Sequence, residues 1–172
     1  MNIKNFEFKA KVNETDSFEQ KLRSLNPVFQ GVDHQIDTYF NAAIGRLKLR
    51  EGTIENSLIN YDRKDAQGAK ESQIILYQHA PSKSLKEILI RQLGIKVIVD
   101  KKRKIYFIDN VKFHFDVVEN LGTFIEVEAI DTKDEFSIEQ LKKQCDDYFE
   151  FFKLKQEDLI DQSYSDLLIN LK

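Results

Sequence analysis

The chain has 172 residues, 26 Lys and Arg against 29 Asp and Glu, a formal net charge of −3, and 41% hydrophobic residues. This length suits one domain with a sizeable core, so we expect a single domain over residues 1–172. Thirteen Phe and six Tyr supply bulky core side chains and argue against disorder. The single Cys excludes a disulfide framework within the chain and a Cys-rich zinc site.

The sequence shows neither a targeting signal nor a membrane span. The N-terminus runs straight into a polar alternation and has no signal-peptide core. The longest apolar runs, such as residues 74–77, are far too short to cross a bilayer. The slightly acidic composition argues against a general nucleic-acid coat. We therefore expect a cytoplasmic protein that binds neither membrane nor nucleic acid.

Several segments have the apolar spacing and terminal residues of amphipathic helices. Pro27 ends the first pattern, Gly94 ends the second, and Ser137 begins the third as an N-cap with Gln140 in the first turn. Helices are predicted at about 16–26, 85–93 and 138–152, with a short fourth helix around 164–171.

Most other segments alternate with period two, as half-buried strands do. Charges of one sign recur on one face of each strand, and apolar residues occupy the opposite face. The basic sets are Lys9 and Lys11; Arg46, Lys48 and Arg50; Lys101 and Arg103; the acidic set is Glu126 and Glu128.

These like-charge sets have two interpretations. For any one strand, the solvent face of an antiparallel sheet is the simpler explanation. Taken together they favour a different one, because like charges on one side of a strand repel. Strands that close around a polar interior would bring the basic faces to a polyanion and the acidic face to a metal. The apolar faces would then point outward beneath the helices, and the acidic surplus would lie on helices and loops.

The motifs, taken in order, resemble those of the CYTH family, also called triphosphate tunnel metalloenzymes. The nearest branch is the CyaB-type, class IV adenylate cyclase group. No single motif is specific, but their common order and strand phase carry the resemblance, from about residue 5 to 168. The matching segments are residues 5–12, which are similar to an E-x-E-x-K strand, and 37–40, 45–51, 101–106 and 114–128.

The resemblance implies a fold and a chemistry. The fold would be mainly β within the α+β class, an eight-stranded antiparallel closed barrel with a charged interior and helices packed outside. The family's members hydrolyse inorganic, thiamine or nucleoside triphosphates, or convert ATP to cAMP and pyrophosphate. Mg²⁺ or Mn²⁺ would be the cofactor. The metal ligands implied by the family are Glu7, Asp116, Glu126 and Glu128.

Basic positions of the family's tunnel also have matches in this chain. A triphosphate carries several negative charges, so one or two cations would not compensate it. The implied phosphate-binding residues are Lys9, Lys48, Arg50, Arg63, Lys101 and Arg103, with Lys11, Arg46 and Lys70 as weaker candidates. We assign catalysis to Lys9, Arg63, Lys101 and Arg103, and a supporting place to His114.

One position departs from the family pattern. If Glu7 and Lys9 match the second Glu and the Lys of E-x-E-x-K, the first Glu is replaced by Asn5. The other register puts Glu7 first, Lys9 in place of the second Glu and Lys11 last. We prefer the first register because Phe6 then falls on an apolar position. Either register loses one carboxylate, which would weaken metal binding.

Two hypotheses follow for the function. The first is a divalent-metal-dependent enzyme that hydrolyses or cyclises a small triphosphate. The second is a non-catalytic module that binds triphosphate or polyphosphate, with its metal site weakened at Asn5. A small-ligand barrel or RNA binder ranks last. A nucleic-acid surface would have aromatic residues interleaved with the basic ones, whereas here they lie on the opposite strand faces. The sequence leaves the substrate open, and also whether a helix contact makes a homodimer.

Overall fold

Eight strands and four helices make up the computed structural model, which describes residues 2–63 and 72–171. Strand lengths run from 7 to 14 residues. The strands are β1 (Asn2–Val12), β2 (Val28–Phe40), β3 (Arg46–Gly52), β4 (Asn56–Arg63), β5 (Ser72–Gln78), β6 (Ile95–Ile108), β7 (Val111–Val118) and β8 (Gly122–Asp131). The helices are α1 (Asp16–Arg23), α2 (Lys83–Leu93), α3 (Ile138–Phe151) and α4 (Tyr164–Asn170).

The strands close into an antiparallel barrel in the order β1-β5-β4-β3-β2-β6-β7-β8. The last strand pairs with the first over nine positions, from Lys4 opposite Asp131 to Val12 opposite Thr123. Side chains of a barrel strand alternate between the interior and the exterior, so closure fixes which face each residue presents. The mainly-β closed barrel expected from the sequence is confirmed.

The helices begin and end close to their predicted positions. Ser137 caps α3 by accepting a hydrogen bond from the Gln140 main-chain N–H, and Gln140 returns a side-chain contact to the Ser137 N–H. Gly94 follows α2 with a positive φ of 68°, which glycine adopts without strain. The first helix ends at Arg23, three residues earlier than expected. No helix among the described residues is long and apolar enough to cross a membrane.

The main apolar core lies outside the barrel, between its wall and the helices. Phe6, Phe113 and Ile125 are almost completely buried there against Leu141 and Cys145 of α3. The first helix adds Leu22 to the same core. Burying apolar area stabilises the fold by roughly 25 cal/mol per Å². The apolar faces of β1, β7 and β8 therefore point outward, as the alternation predicted.

Two helices differ from the expected role as outer covers. Helix α2 buries none of its residues fully and is joined to the barrel by an ion pair from Lys86 to Glu51. Helix α4 contributes Tyr164 to a second apolar cluster, which contains interior residues of the barrel such as Tyr39 and Phe124. The C-terminal helix thus packs against interior side chains near one end of the barrel, and it brings Tyr164 into the charged interior.

Candidate functional site

The barrel interior encloses a cavity of about 610 Å³. That volume falls in the range of roughly 300–1,000 Å³ typical of small-molecule sites. Charged groups of both signs line part of its wall, and β4 and β5 contribute an apolar stretch that includes Ile59, Ile74 and Leu76. The lining cations are Lys9, Lys48, Arg50, Lys101, Arg103 and Lys112, and the lining carboxylates are Glu7, Asp37, Glu55, Glu126 and Glu128.

Glu7, Glu126 and Glu128 form one group of carboxylates, with an oxygen from each within 4.8 Å of the others. Glu7 lies directly opposite Glu128 across the β1–β8 ladder. Burial, reinforced by the charge of Glu7, raises the pKa of Glu128 to about 7. A cation placed among these oxygens would offset that repulsion. Oxygen donors of this kind suit Mg²⁺ or Mn²⁺.

Asn5 borders this acidic group. Its side-chain Nδ2 donates a hydrogen bond of 2.8 Å to Glu128 Oε1. Its Oδ1 atom is buried, and none of the described residues hydrogen-bonds it. A buried acceptor without a partner is costly and calls for an explanation. The carbonyl oxygen is the kind of ligand that a hard divalent cation takes, so the residues present fit a metal in this position.

A second centre surrounds Asp37 on β2, which is 1% exposed. Arg50 on β3 binds it in bidentate fashion, through Nε and Nη2 at 2.8 Å each. Lys101 on β6 donates to it at 2.8 Å, and Lys48 on β3 at 3.2 Å. Burial favours the neutral acid, but Arg50 and Lys101 hold the pKa of Asp37 well below its usual range. Burial lowers the pKa of Lys101 to about 7 despite this partner.

A third centre pairs Arg103 with Asp116, two residues directly opposite each other in the β6–β7 ladder. Arg103 donates to both Asp116 oxygens, at 2.7 and 2.6 Å, and the Tyr164 hydroxyl donates to Oδ2 at 2.7 Å. Asp116 is completely buried and is not part of the carboxylate group. The structure therefore places this predicted metal ligand against an arginine.

Lys9 and His114 connect the acidic group to the rest of the cavity. Lys9 Nζ lies 3.2 Å from Glu126 and 4.2 Å from the centre of the Tyr164 ring. His114 Nδ1 lies 3.0 Å from another Glu126 oxygen. Burial, together with Arg103, lowers the pKa of His114 to about 4, so its ring is neutral at pH 7. Burial opposes the charge of Glu126, but Lys9 and Arg103 keep its pKa well below normal.

The weaker candidates lie away from these three centres. Lys11 is exposed and near the Phe124 ring, and Arg46 pairs with Asp166 of α4 at 2.7 Å. Neither lines the cavity. Arg63 ends β4, but its side chain lies outside the described part of the chain, as does all of Lys70.

Sequence reasoning missed several interior groups. Asp37 and Glu55 were not chosen, although Glu55 pairs with both Arg50 and Lys112. The expectation that the interior holds cations and a metal-binding acidic set, with the remaining acids on helices and loops, is therefore incomplete. Among the described residues, six cations line the cavity together with five carboxylates. Asp37 lies two residues before Tyr39 in the segment 37–40, so the two residues share a strand face. That shared face was the sequence signal that could have identified Asp37.

Comparison with known proteins gives the family. The PH1012 protein of Pyrococcus horikoshii has a TM-score of 0.83 at 26% identity, covering 95% of this chain and 98% of that one. A candidate adenylate cyclase of Vibrio parahaemolyticus scores 0.77 at 17% identity, covering 96% and 98%. A candidate adenylyl cyclase of Hippeastrum, described as having a dominant triphosphatase activity, scores 0.63 at 14%, covering 100% and 97%. No curated protein matches the sequence significantly. The CYTH domain model matches residues 4–164, and the chain therefore belongs to the CYTH domain family.

Proposed function

We propose that this protein is a divalent-metal-dependent enzyme that acts on a small-molecule triphosphate inside the barrel. The observation that carries the proposal is the juxtaposition, in one cavity, of the carboxylate group Glu7, Glu126 and Glu128 with six lining cations. Carboxylates suit the metal, and Arg and Lys suit the phosphates. The CYTH family match supports the same reading.

In this proposal the cations bind and orient the phosphate chain. Arg103 and Arg50 can bind phosphate oxygens through guanidinium N–H groups that are not held by Asp116 or Asp37, while Lys9, Lys48 and Lys101 act as point charges. Holding reactants in one geometry converts binding energy into rate, because orientation entropy is lost before the chemical step. Asp116 orients Arg103, and Tyr164 in turn orients Asp116.

The metal ligands in the proposal are Glu7, Glu126 and Glu128, with the Asn5 carbonyl oxygen as a neutral fourth donor. Bound there, Mg²⁺ or Mn²⁺ would neutralise charge on phosphate oxygens. The three carboxylates would hold such an ion close to Lys9, which reaches Glu126 from β1. Lys9 therefore lies where the acidic group and the phosphate site meet, and we retain it as a catalytic residue.

The reaction that we put first is hydrolysis of a triphosphate by water. The description of the Hippeastrum protein as a dominant triphosphatase supports this order. Cyclisation of ATP to cAMP and pyrophosphate uses the same phosphate site, but it also requires a ribose 3′-hydroxyl aimed at the α-phosphorus. The similarity to the candidate adenylate cyclase of Vibrio parahaemolyticus supports cyclisation as the alternative reaction.

A panel assay tests the proposal. The purified protein is given inorganic triphosphate, thiamine triphosphate or ATP, with Mg²⁺ or Mn²⁺, and phosphate and cAMP are measured separately. We expect metal-dependent phosphate release from at least one substrate. Formation of cAMP with pyrophosphate would favour the cyclase instead. Absence of turnover across the panel would contradict the enzyme.

The second candidate function is a non-catalytic triphosphate-binding module, and Asn5 is the observation that favours it. Its amide adds no negative charge to the acidic group, so a bound metal would be held less tightly than by four carboxylates. Tight binding of triphosphate without turnover would support the module. Calorimetric titration with each triphosphate, run beside the panel assay, separates the two functions.

A further inference from the structure

Asp37 lies between two strands that carry cations toward the cavity. In the barrel order, β2 is flanked by β3 and β6. Arg50 and Lys48 reach Asp37 from β3, and Lys101 reaches it from β6. In the register, Arg50 is the direct partner of Asp37 on the β3 side. One carboxylate thus collects three cations from both sides of its strand.

Asp37 also accepts hydrogen bonds from the same N–H groups that a phosphate group would need. The Arg50 fork gives Nε and Nη2 to Asp37 and Nη1 to Glu55 Oε2 at 3.0 Å. Lys101 is 2% exposed, and Asp37 is the acceptor of its described hydrogen bond. Arg forks bind carboxylates and phosphates through the same parallel N–H pair. A phosphate group cannot take that pair of N–H groups while Asp37 holds it.

We propose that Asp37 is an internal counter-anion, and that a phosphate group of the triphosphate takes its place at Arg50, Lys48 and Lys101. This inference rests on the proposed function. Asp37 is then a positioning residue that determines affinity. Before the ligand arrives, Asp37 keeps the buried Arg50 and Lys101 and the partly buried Lys48 paired and in place. Buried cations without a partner would be strongly destabilising. When the ligand arrives, Asp37 competes for the same donors and lowers the net affinity.

This exchange predicts opposite effects on stability and on affinity. Replacing the carboxylate with an isosteric amide removes a buried charge from between three cations. The ligand-free protein should therefore unfold more easily. Triphosphate should bind more tightly, on the order of tenfold, because it no longer competes with a fixed negative charge. A residue with a purely structural role would lower stability and leave affinity unchanged or weaker.

The experiment compares Asp37→Asn with wild type and with Asp131→Asn. Asp131 is a matched control: it is 4% exposed, its carboxylate accepts main-chain N–H groups of Lys133, Glu135 and Phe136, and it does not line the cavity. Inorganic triphosphate is titrated by calorimetry without added metal, and thermal unfolding is recorded with and without it. We expect tighter binding and a larger ligand-induced rise in melting temperature for Asp37→Asn alone. Equal or weaker affinity for Asp37→Asn would overturn the inference.

A measurement on the wild-type protein covers the case in which Asp37→Asn does not fold. The Arg50 Nε–H resonance, assigned by its disappearance in Arg50→Lys, is followed by NMR during the triphosphate titration. Exchange of partners should shift it, and an unchanged resonance at saturation would overturn the inference. Wild-type binding with unchanged Asp37→Asn affinity refutes the Asp37 inference alone. Failure of the wild type to bind any triphosphate refutes the proposed function and the inference with it.

Discussion

Asn5 and Glu128 are joined across the β1–β8 seam by a hydrogen bond of 2.8 Å from Nδ2 to Oε1. Glu128 has a pKa raised to about 7 by burial and by the facing Glu7. The amide therefore stabilises a carboxylate that its surroundings disfavour. The same amide presents a buried Oδ1 that none of the described residues hydrogen-bonds. Asn5, which stands where the E-x-E-x-K pattern has its first Glu, thus contacts one of the proposed metal ligands directly.

Restoring the missing carboxylate should strengthen metal binding. For Asn5→Glu we expect Mg²⁺ or Mn²⁺ affinity to rise on the order of tenfold, because ligand charge tunes the affinity of such sites. The metal-free variant should unfold more easily, since another carboxylate joins a group that already repels. Isothermal titration and urea denaturation measure the two effects.

Asn5→Gln is the control for this substitution, because it has the size of Glu without its charge. It should leave metal affinity close to that of the wild type. If Asn5→Glu and Asn5→Gln bind metal equally, the alignment that places Asn5 at the first Glu position is wrong.

The Tyr164 hydroxyl is predicted to stabilise the interior through Asp116. Tyr164→Phe removes a buried hydrogen bond to a charged acceptor, which should lower the free energy of unfolding by about 1–3 kcal/mol. The Michaelis constant for triphosphate should rise as well, since Arg103 is held by the same carboxylate. Tyr148→Phe, on α3, should change stability by less than about 0.5 kcal/mol. Equal stability of the two variants would contradict the prediction.

Lys101 should impose a pH dependence on stability. Its pKa is about 7 in the folded protein, lowered by burial, against an ordinary 10.5. Between these values the unfolded chain binds more protons, so this residue makes stability rise with pH, by at most about 1.4 kcal/mol per pH unit. Below pH 7 both states are protonated and the contribution becomes constant.

Denaturation of wild type and Lys101→Met from pH 6 to pH 10 isolates that contribution from other titrating groups. The difference in unfolding free energy between the two proteins should change across the window, with the wild type gaining on the variant as pH rises. Parallel profiles would show that Lys101 has a normal pKa.

Strand parity predicted the faces of the barrel but not the partners within it. Lys9 and Glu126 were expected inside because they alternate with apolar residues, and Lys101 because it shares a strand face with Arg103. Closure of the barrel places all three inside. Parity does not give depth along the axis, so Lys11, on the same strand face as Lys9, was kept as a weaker phosphate-binding candidate although it is exposed. Depth depends on how far each strand is shifted against its neighbours.

The pairing of Arg103 with Asp116 shows what a linear reading cannot supply. The two residues are opposite each other only because of the β6–β7 register. Asp37 was missed for a related reason: the three cations that mark its role come from β3 and β6. Like charges repeated along one strand identified the faces that point into the barrel. The partner of an isolated acid such as Asp37 can be identified only from the register of the neighbouring strands.

The central claim is that the Glu7, Glu126 and Glu128 group makes triphosphate turnover depend on a divalent metal. Phosphate release from the substrate panel, measured against Mg²⁺ or Mn²⁺ concentration, compares wild type with Glu128→Gln and with the exposed surface control Glu150→Gln. We predict metal-dependent release by wild type and the control, and a loss on the order of 100-fold in Glu128→Gln with triphosphate binding retained. Equal rates in Glu128→Gln and wild type, or triphosphate binding by the wild type without turnover, would contradict the account.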